Sequence, residues 1–373
     1  MNIIETVSLW DYIFDLQNNK DIIIYGMGNG ADKILDLCAV RNIKIADVFA
    51  SDEFVRGQFF RGYRVKKLSE IQEIYGDDNN ICVLTAFATR EDDVIERIYG
   101  LNDICELYCP NFPVFGDEYP DFNFFADNIK EAEQAYNLLA DDVSKEVYIN
   151  MINFAISGKL AYLQNAECLK SDALDLLDLH DLRGNLHYID VGAYTGDTIK
   201  ELADYINYTR LAKITAFEPD KRNFAKLEQN LRNQNILNLC EIYNIGAWSE
   251  ENILYFDAKS GRNASFNAAN SKKPTEVHVN SLDNVLSLGD YENYSETLIK
   301  YDVEGAEYGA LIGSKEVIKQ YTPKLIVSLY HRNGDIFKLP LLIHNINPNY
   351  KFYIRKHKYI PCWDLNLYAV PKF

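Results

Sequence analysis

The chain has 373 residues, 47% hydrophobic and 25% charged, with a formal net charge of −17. That length suits two or three domains, and the composition is ordinary for a water-soluble globular protein. The acidic balance argues against a general affinity for nucleic acid, which needs clustered cations against phosphate, and disfavours docking on anionic membranes; neither argument excludes a local basic pocket.

The amino terminus mixes acidic residues into its apolar stretch and lacks a basic leader, so no secretory signal is expected. No uninterrupted apolar run is long enough to span a bilayer, and a cytoplasmic location is the default. The seven cysteines show no CxxC spacing. Cys38, Cys82, Cys105, Cys168 and Cys240 read as buried reduced thiols. No role is assigned to the 26 tyrosines.

Residues 21–25 (DIIIY) read as a buried parallel strand, followed by a turn through Gly26, Gly28 and Gly30 and a helix over residues 31–40. Further strands are predicted at residues 43–49 and 80–87, with a charged helix start at 90–93. Residues 1–112 are therefore expected to form a small Rossmann-like α/β domain. Its GMGNGA turn has Ala31 at the sixth position of the dinucleotide fingerprint, a permitted variant, and Asp52 follows Gly30 by 22 positions. A substrate platform or dimer surface is the preferred reading of this domain. A nucleotide or nucleotide-sugar site is the other.

Between residues 117 and 181, Tyr136, Leu138, Leu139, Val143, Val147, Tyr148, Met151, Ile152 and Phe154 recur at three- and four-residue spacing. A helical connector over residues 113–183 is expected.

The second α/β unit, residues 184–373, opens with HYIDVGAYTGDT at 187–198. An apolar strand ends near Asp190, a turn runs through Gly192 and Gly196, and Asp197 or Thr198 opens a helix. Glycine lets backbone approach a ligand closely, and the first helical turn offers unused N–H donors. Nucleotide-type ligands sit on such turns at the carboxyl ends of parallel strands. A strand at 213–217 then closes on Glu218-Pro219-Asp220, before a helix at 221–233. CEIYNIGAW supplies a third strand, and short hairpins are expected over 252–282 around Gly261. A buried strand ends at Asp302, with a helix from near Ala306, a strand at 324–330 and a helix through Leu342. Alternating runs at 351–356 and 365–370, with Pro361 in their turn, complete a doubly wound sheet with an antiparallel edge hairpin.

Glu218 lies 28 positions after Asp190, where a carboxylate faces the ribose of a nucleotide bound on the first turn and can accept from both hydroxyls. A solvated strand-end carboxylate is the bland alternative. Asp302 points at the same crevice, while Glu304 and Glu307 flank Gly305 at a helix start, where complementing the helix dipole suffices to explain Glu307. His331 has a pKa suited to base catalysis and competes with Asp302 for that role; a structural histidine beside Tyr330 is its plain reading. Arg355 and His357 alternate along the edge hairpin and read mainly as a solvated face, with contact to an acidic or sugar substrate as the alternative. No His, Cys or carboxylate cluster has tight metal-ligand spacing, so metal dependence is not expected.

YIDVGAYTGDT, AFEPD followed by Phe224, Leu227 and Asn230, SLDN at 281–284, and IKYDVEGAE at 299–307 together resemble the FkbM-type S-adenosylmethionine-dependent methyltransferases over about residues 187–335. Tyr194 departs from the Asn that many members carry after GA, a subgroup difference. SLYHRNGDIFKLPLLI and YKFYIRKH resemble a subgroup in which a Rossmann-like domain precedes the methyltransferase. The resemblance implies a class I methyltransferase fold with S-adenosylmethionine on the 187–198 turn. By position, Asp190, Gly192 and Gly196 would cradle the methionine end and Thr195, Asp197 and Thr198 would line the turn. Glu218 would hold the ribose, Gly246 and Ala247 would lie near adenine, and Asp302 would sit near the reacting methyl. It also implies O-methylation of a hydroxyl on a sugar, glycan or secondary metabolite, with Asp302 or His331 as catalytic base. An NAD(P)-dependent oxidoreductase and a non-catalytic scaffold in a glycan-assembly system are the alternatives. The acceptor is expected to be a small molecule or a glycan, and a homodimer is an option.

Overall fold

Ile22, Ile23 and Ile24 are buried, as a strand flanked by parallel neighbours and covered on both faces requires. The computed structural model describes residues 1–75, 80–116, 119–179, 185–206, 208–257, 274–286, 291 and 293–372. The strands are β1 (Asp21–Tyr25), β2 (Ile45–Ala50), β3 (Phe59–Phe60), β4 (Tyr63–Arg64), β5 (Lys66–Lys67), β6 (Ile81–Thr85) and β7 (Glu106–Tyr108). They continue with β8 (Leu186–Val191), β9 (Leu211–Phe217), β10 (Cys240–Tyr243), β11 (Gly246–Ala247), β12 (Asn252–Asp257) and β13 (Pro274–Asn280). β14 (Glu296–Tyr301), β15 (Lys324–Ser328), β16 (Tyr350–Lys356) and β17 (Leu365–Pro371) end the chain.

The first sheet has the order β5-β2-β1-β6-β7, and its pairs are all parallel. The second has seven strands in the order β10-β9-β8-β14-β15-β17-β16. Its first five run parallel; β17 inserts antiparallel between β15 and β16. β8 therefore lies centrally, where the strand order reverses between β9 and β14. That reversal opens a crevice beyond the carboxyl ends of the strands.

Helices Phe122–Asp127, Ile129–Leu138, Asp142–Ser157, Leu160–Ala166 and Lys170–Asp175 occupy the expected helical stretch. The expected bounds at 117 and 181, and residues 183 and 184, lie outside the described residues, as does Gly261. Asp141 caps the helix Asp142–Ser157 by accepting from Ser144 N at 2.8 Å, and Gly158 closes it in a left-handed conformation. One apolar cluster joins Ile23 and Val83 of the first sheet, Ile152 and Phe154 of that helix, and Phe352 of the second sheet. Thr89 and Ile360 exchange backbone hydrogen bonds of 2.8 and 3.0 Å between the first α/β unit and the β16–β17 turn.

CEIYNIGAW divides into two strands rather than one. Cys240–Tyr243 extends the large sheet, but Gly246–Ala247 leaves it to pair with β13 in a separate three-stranded sheet of order β11-β13-β12. The cysteines are all free, with Cys168 and Cys240 only half-buried. Among the described residues no helix is long and apolar enough to cross a membrane.

Candidate active site

The turn after β8 is built around backbone that only glycine adopts easily. Gly192 has φ +95° and Gly196 φ +83°. A Cβ at Gly192 would lie 2.0 Å from the Asp302 carbonyl oxygen, so this glycine lets the turn close against the chain leaving β14. The amides of Gly192 and Ala193 donate to Phe217 O at 3.0 and 2.9 Å, which fixes the turn to the end of β9. Asn230 Nδ2 donates to Thr195 O at 2.8 Å, tying the turn to the helix Lys221–Asn233.

Glu218, next after β9, is 6% exposed. Its Oε2 accepts from Tyr194 N and its Oε1 from Asp220 N, each at 2.9 Å. Burial pushes its carboxyl up to about 7, against the opposing pull of those two amides. Asp190, at the end of β8, is fully buried. Thr198 Oγ1 donates to its Oδ2 at 2.5 Å, while Oδ1 has no hydrogen-bond partner. Burial raises it to about 6, with the Lys300 ammonium pulling the other way.

Asp302 ends up between cations. Lys300 Nζ donates to its Oδ2 at 2.9 Å and Tyr330 Oη to its Oδ1 at 3.0 Å. Although burial opposes ionisation, Lys300 and His331 hold this carboxyl well below the ordinary carboxylate range.

Gly192, Asp197, Thr198, Glu218, Gly246, Ala247 and Asp302 all line one cleft of about 1590 Å³. Thr195, Gly196, Asp190 and His331 are not on its wall; the first three shape the turn from behind. Gly246 and Ala247 reach the cleft because β11 leaves the large sheet, with Val277 and Val279 of β13 lining the same wall. Lys170, Tyr330, Tyr359 and Trp363 also line it. Local patterning gave no reason to single out these four, or Lys300, although Lys300 sits inside the IKYDVEGAE motif.

The structure bears on three expectations. His331 is 1% exposed, with Nδ1 2.8 Å from Glu307 Oε1. Burial alone would lower its pKa, but Glu307, Asp302 and Glu304 raise it to about 9. That direction favours the charged imidazole and weighs against a base role. Arg355 and His357 are buried rather than solvated: the helix Asp142–Ser157 packs on β16 beside Arg355, while His357 lies against Cys168 and lines the cleft. Arg355 pairs with Asp141 at 2.6 Å, and His357 Nε2 lies 3.0 Å from Tyr368 Oη. Finally, Asp302, Glu307 and His331 bring ligand atoms within 4.8 Å of one another, a grouping that local spacing cannot reveal.

Of the glycines in the first turn, Gly26 and Gly30 serve packing, whereas Gly28, at φ +108°, has open space where a Cβ would lie. A Cβ at Gly30 would lie 2.0 Å from Ala86 O, and one at Gly26 would lie 2.6 Å from Phe87 Cδ1. Asp52 is exposed in a short 3₁₀ turn, and none of these residues lines the cleft.

Residues 190–360 match the family model described as the methyltransferase FkbM domain. Among solved structures, the chain is similar to methyltransferase FkbM from Methylobacillus flagellatus KT, at 21% identity and TM-score 0.70, over 95% of this chain and 92% of that one. The shared fold thus extends across both sheets, and it is an α/β class I methyltransferase fold preceded by a smaller Rossmann-like sheet. A slighter likeness, TM-score 0.31 at 14% identity, links 54% of this chain to 93% of an rRNA methylase from Streptococcus thermophilus. Another, TM-score 0.33 at 11% identity, links 69% of it to 96% of the N-terminal domain of human METTL16 in complex with SAH. No curated protein matches the chain.

Proposed function

We propose, on the premise that residues 190–360 form an FkbM methyltransferase domain, that the chain transfers a methyl group from S-adenosylmethionine to a hydroxyl of a sugar, glycan or secondary metabolite. The observation that carries this reading is the meeting of the Gly192 turn, Glu218 and Asp302 in one cleft. Two features of the chain fit the donor: Gly192 and Glu218 both line the cleft, and the Glu218 carboxylate has lone pairs beyond those taken by Tyr194 N and Asp220 N.

When bound, S-adenosylmethionine supplies an electrophilic methyl group on a sulfonium sulfur. The chain's part is alignment, which in a displacement of this kind outweighs covalent catalysis. Glu218 holds the two ribose hydroxyls, and Gly246 and Ala247 form the apolar wall beside adenine. Asp302, kept ionised by Lys300, orients the acceptor's hydroxyl by accepting its hydrogen bond. Tyr359 and Trp363, whose rings lie 5.6 Å apart, offer a surface suited to the C–H face of a sugar.

Calorimetry of the full chain with S-adenosylmethionine and with its demethylated product tests the reading. Binding of both, strongly weakened by Glu218→Ala, is expected. Absence of binding to either would sink it.

A further inference from the structure

The cleft, at about 1590 Å³, exceeds the roughly 300–1,000 Å³ that encloses one drug-sized ligand, so a second molecule has room beside the donor. Its wall is not confined to the methyltransferase domain. Arg90 of the first α/β unit lines it, as do Val114 and Phe115 of the segment leaving the first sheet. Phe115 N donates to His331 O at 2.9 Å, and its ring centre lies 4.1 Å from the Arg332 guanidinium, so that segment is docked on the loop after β15.

Backbone pairing sets the position of Arg90. Thr89 and Ile360 form an antiparallel bridge through hydrogen bonds of 2.8 and 3.0 Å, and both side chains are buried. In such a pair the next residues, Arg90 and Tyr359, stand opposite each other and turn to the other face, which here is the cleft. The fully buried Lys356 holds the loop that carries Tyr359, donating from Nζ to His357 O at 2.8 Å and to Tyr359 O at 2.9 Å. From Tyr359 a row of rings leads to Asp302. Tyr359 and Trp363 are 5.6 Å apart and Trp363 and Tyr330 6.5 Å apart, while Tyr330 Oη donates to Asp302 Oδ1 at 3.0 Å.

Charge is the second observation. On this wall Lys300 pairs with Asp302 and Lys170 with Glu201, each at 2.9 Å. Arg90 is exposed and, among the described residues, pairs with no carboxylate. Its planar fork of donors matches a carboxylate or a phosphate.

We propose that Arg90, Tyr359 and Trp363 form a subsite for a sugar bearing a carboxylate or phosphate, with the ring seated on the aromatic pair and the anion held by Arg90. The first α/β unit then shares in choosing the ligand through Arg90, although its own glycine turn stays out of the cleft. Calling that sugar the methyl acceptor rests on the proposed methyl transfer; its binding does not.

Ligand-observed NMR titrations of the full chain test the subsite, with glucuronate, glucose-6-phosphate and uncharged methyl glucoside as probes. Each is run with and without the demethylated donor product. At least one anionic sugar should bind about tenfold or more tighter than the glucoside, the worth of a hydrogen bond to a charged group. Which of the two does so separates carboxylate from phosphate. Arg90→Gln should abolish the preference, with an unchanged thermal midpoint because the side chain is exposed. Lys358→Gln removes a cation next to Tyr359 but off the cleft wall, and should keep it. No preference for either anionic sugar in the wild-type chain, or a preference kept in Arg90→Gln, overturns the subsite. A preference that Arg90→Gln abolishes, in a chain that binds no product, leaves the subsite standing and removes the methyl-transfer reading. Product binding without an anionic preference does the reverse.

Discussion

Glu218 offers a titration that can be read in donor affinity. Its carboxyl has a pKa of about 7, raised by burial beside the turn. A group that must accept hydrogen bonds from two ribose hydroxyls binds best when ionised. Each pH unit below its pKa then costs about tenfold in affinity. Donor affinity should be at its plateau near pH 8, about twofold weaker at pH 7 and about tenfold weaker at pH 6. Glu218→Gln removes the charge, and losing a hydrogen bond to a charged group costs about 1.5–3 kcal/mol, or roughly 10- to 150-fold at pH 8. The variant should retain only the shallower step of Asp190, pushed up to about 6. For folding the sign is opposite. The folded-state pKa lies above the ordinary 4.5, so the stabilising contribution of Glu218 is complete below that value and lost as pH rises through about 7. Calorimetric dissociation constants at pH 6, 7 and 8 provide the assay. A flat wild-type profile, or a Glu218→Gln variant that binds as tightly at pH 8, would refute the reasoning.

Gly192→Ala places a Cβ 2.0 Å from Asp302 O at a positive φ. Left-handed backbone costs about 1–2 kcal/mol and overpacking about 1–3 kcal/mol, so thermal unfolding should show a lower midpoint and calorimetry a weaker donor. Asp141→Ala leaves the buried Arg355 without its 2.6 Å partner. Urea titration should show a loss of about 3–5 kcal/mol, most of it recovered when Arg355→Met is added. Asp220→Ala removes a cap that accepts from Arg222 N at 2.8 Å and Asn223 N at 2.9 Å. About 1 kcal/mol of stability should go with it, read from the same urea titration.

Strands and helices with strong periodicity were legible in the sequence. The helix Lys221–Asn233 and the strand Asp21–Tyr25 fall where the pattern puts them, because an apolar run or an amphipathic stripe has few other ways to be buried. The 187–198 turn was legible for a related reason. Glycine at Gly192 and Gly196 marks backbone that other residues avoid. Pairing was harder to read. GA at 246–247 continues an apolar run, yet it changes sheets because β13, more than thirty residues on, offers it a partner. His331 was expected in the crevice, yet it is buried and does not line the cleft. Burial opposes its charge, and the rise in its pKa comes from Glu307, Asp302 and Glu304, which share its surroundings through the fold and not through sequence spacing. Arg355 shows the same limit: an alternating edge strand looks solvated until a helix some two hundred residues earlier covers it.

A crystal structure of the full chain with the demethylated donor product bears most directly on the central claim. The account predicts product in the cleft, its ribose against Glu218 and its sulfur toward Asp302. Product bound instead at the Gly26–Gly30 turn, or a cleft left empty at saturating product, would contradict it.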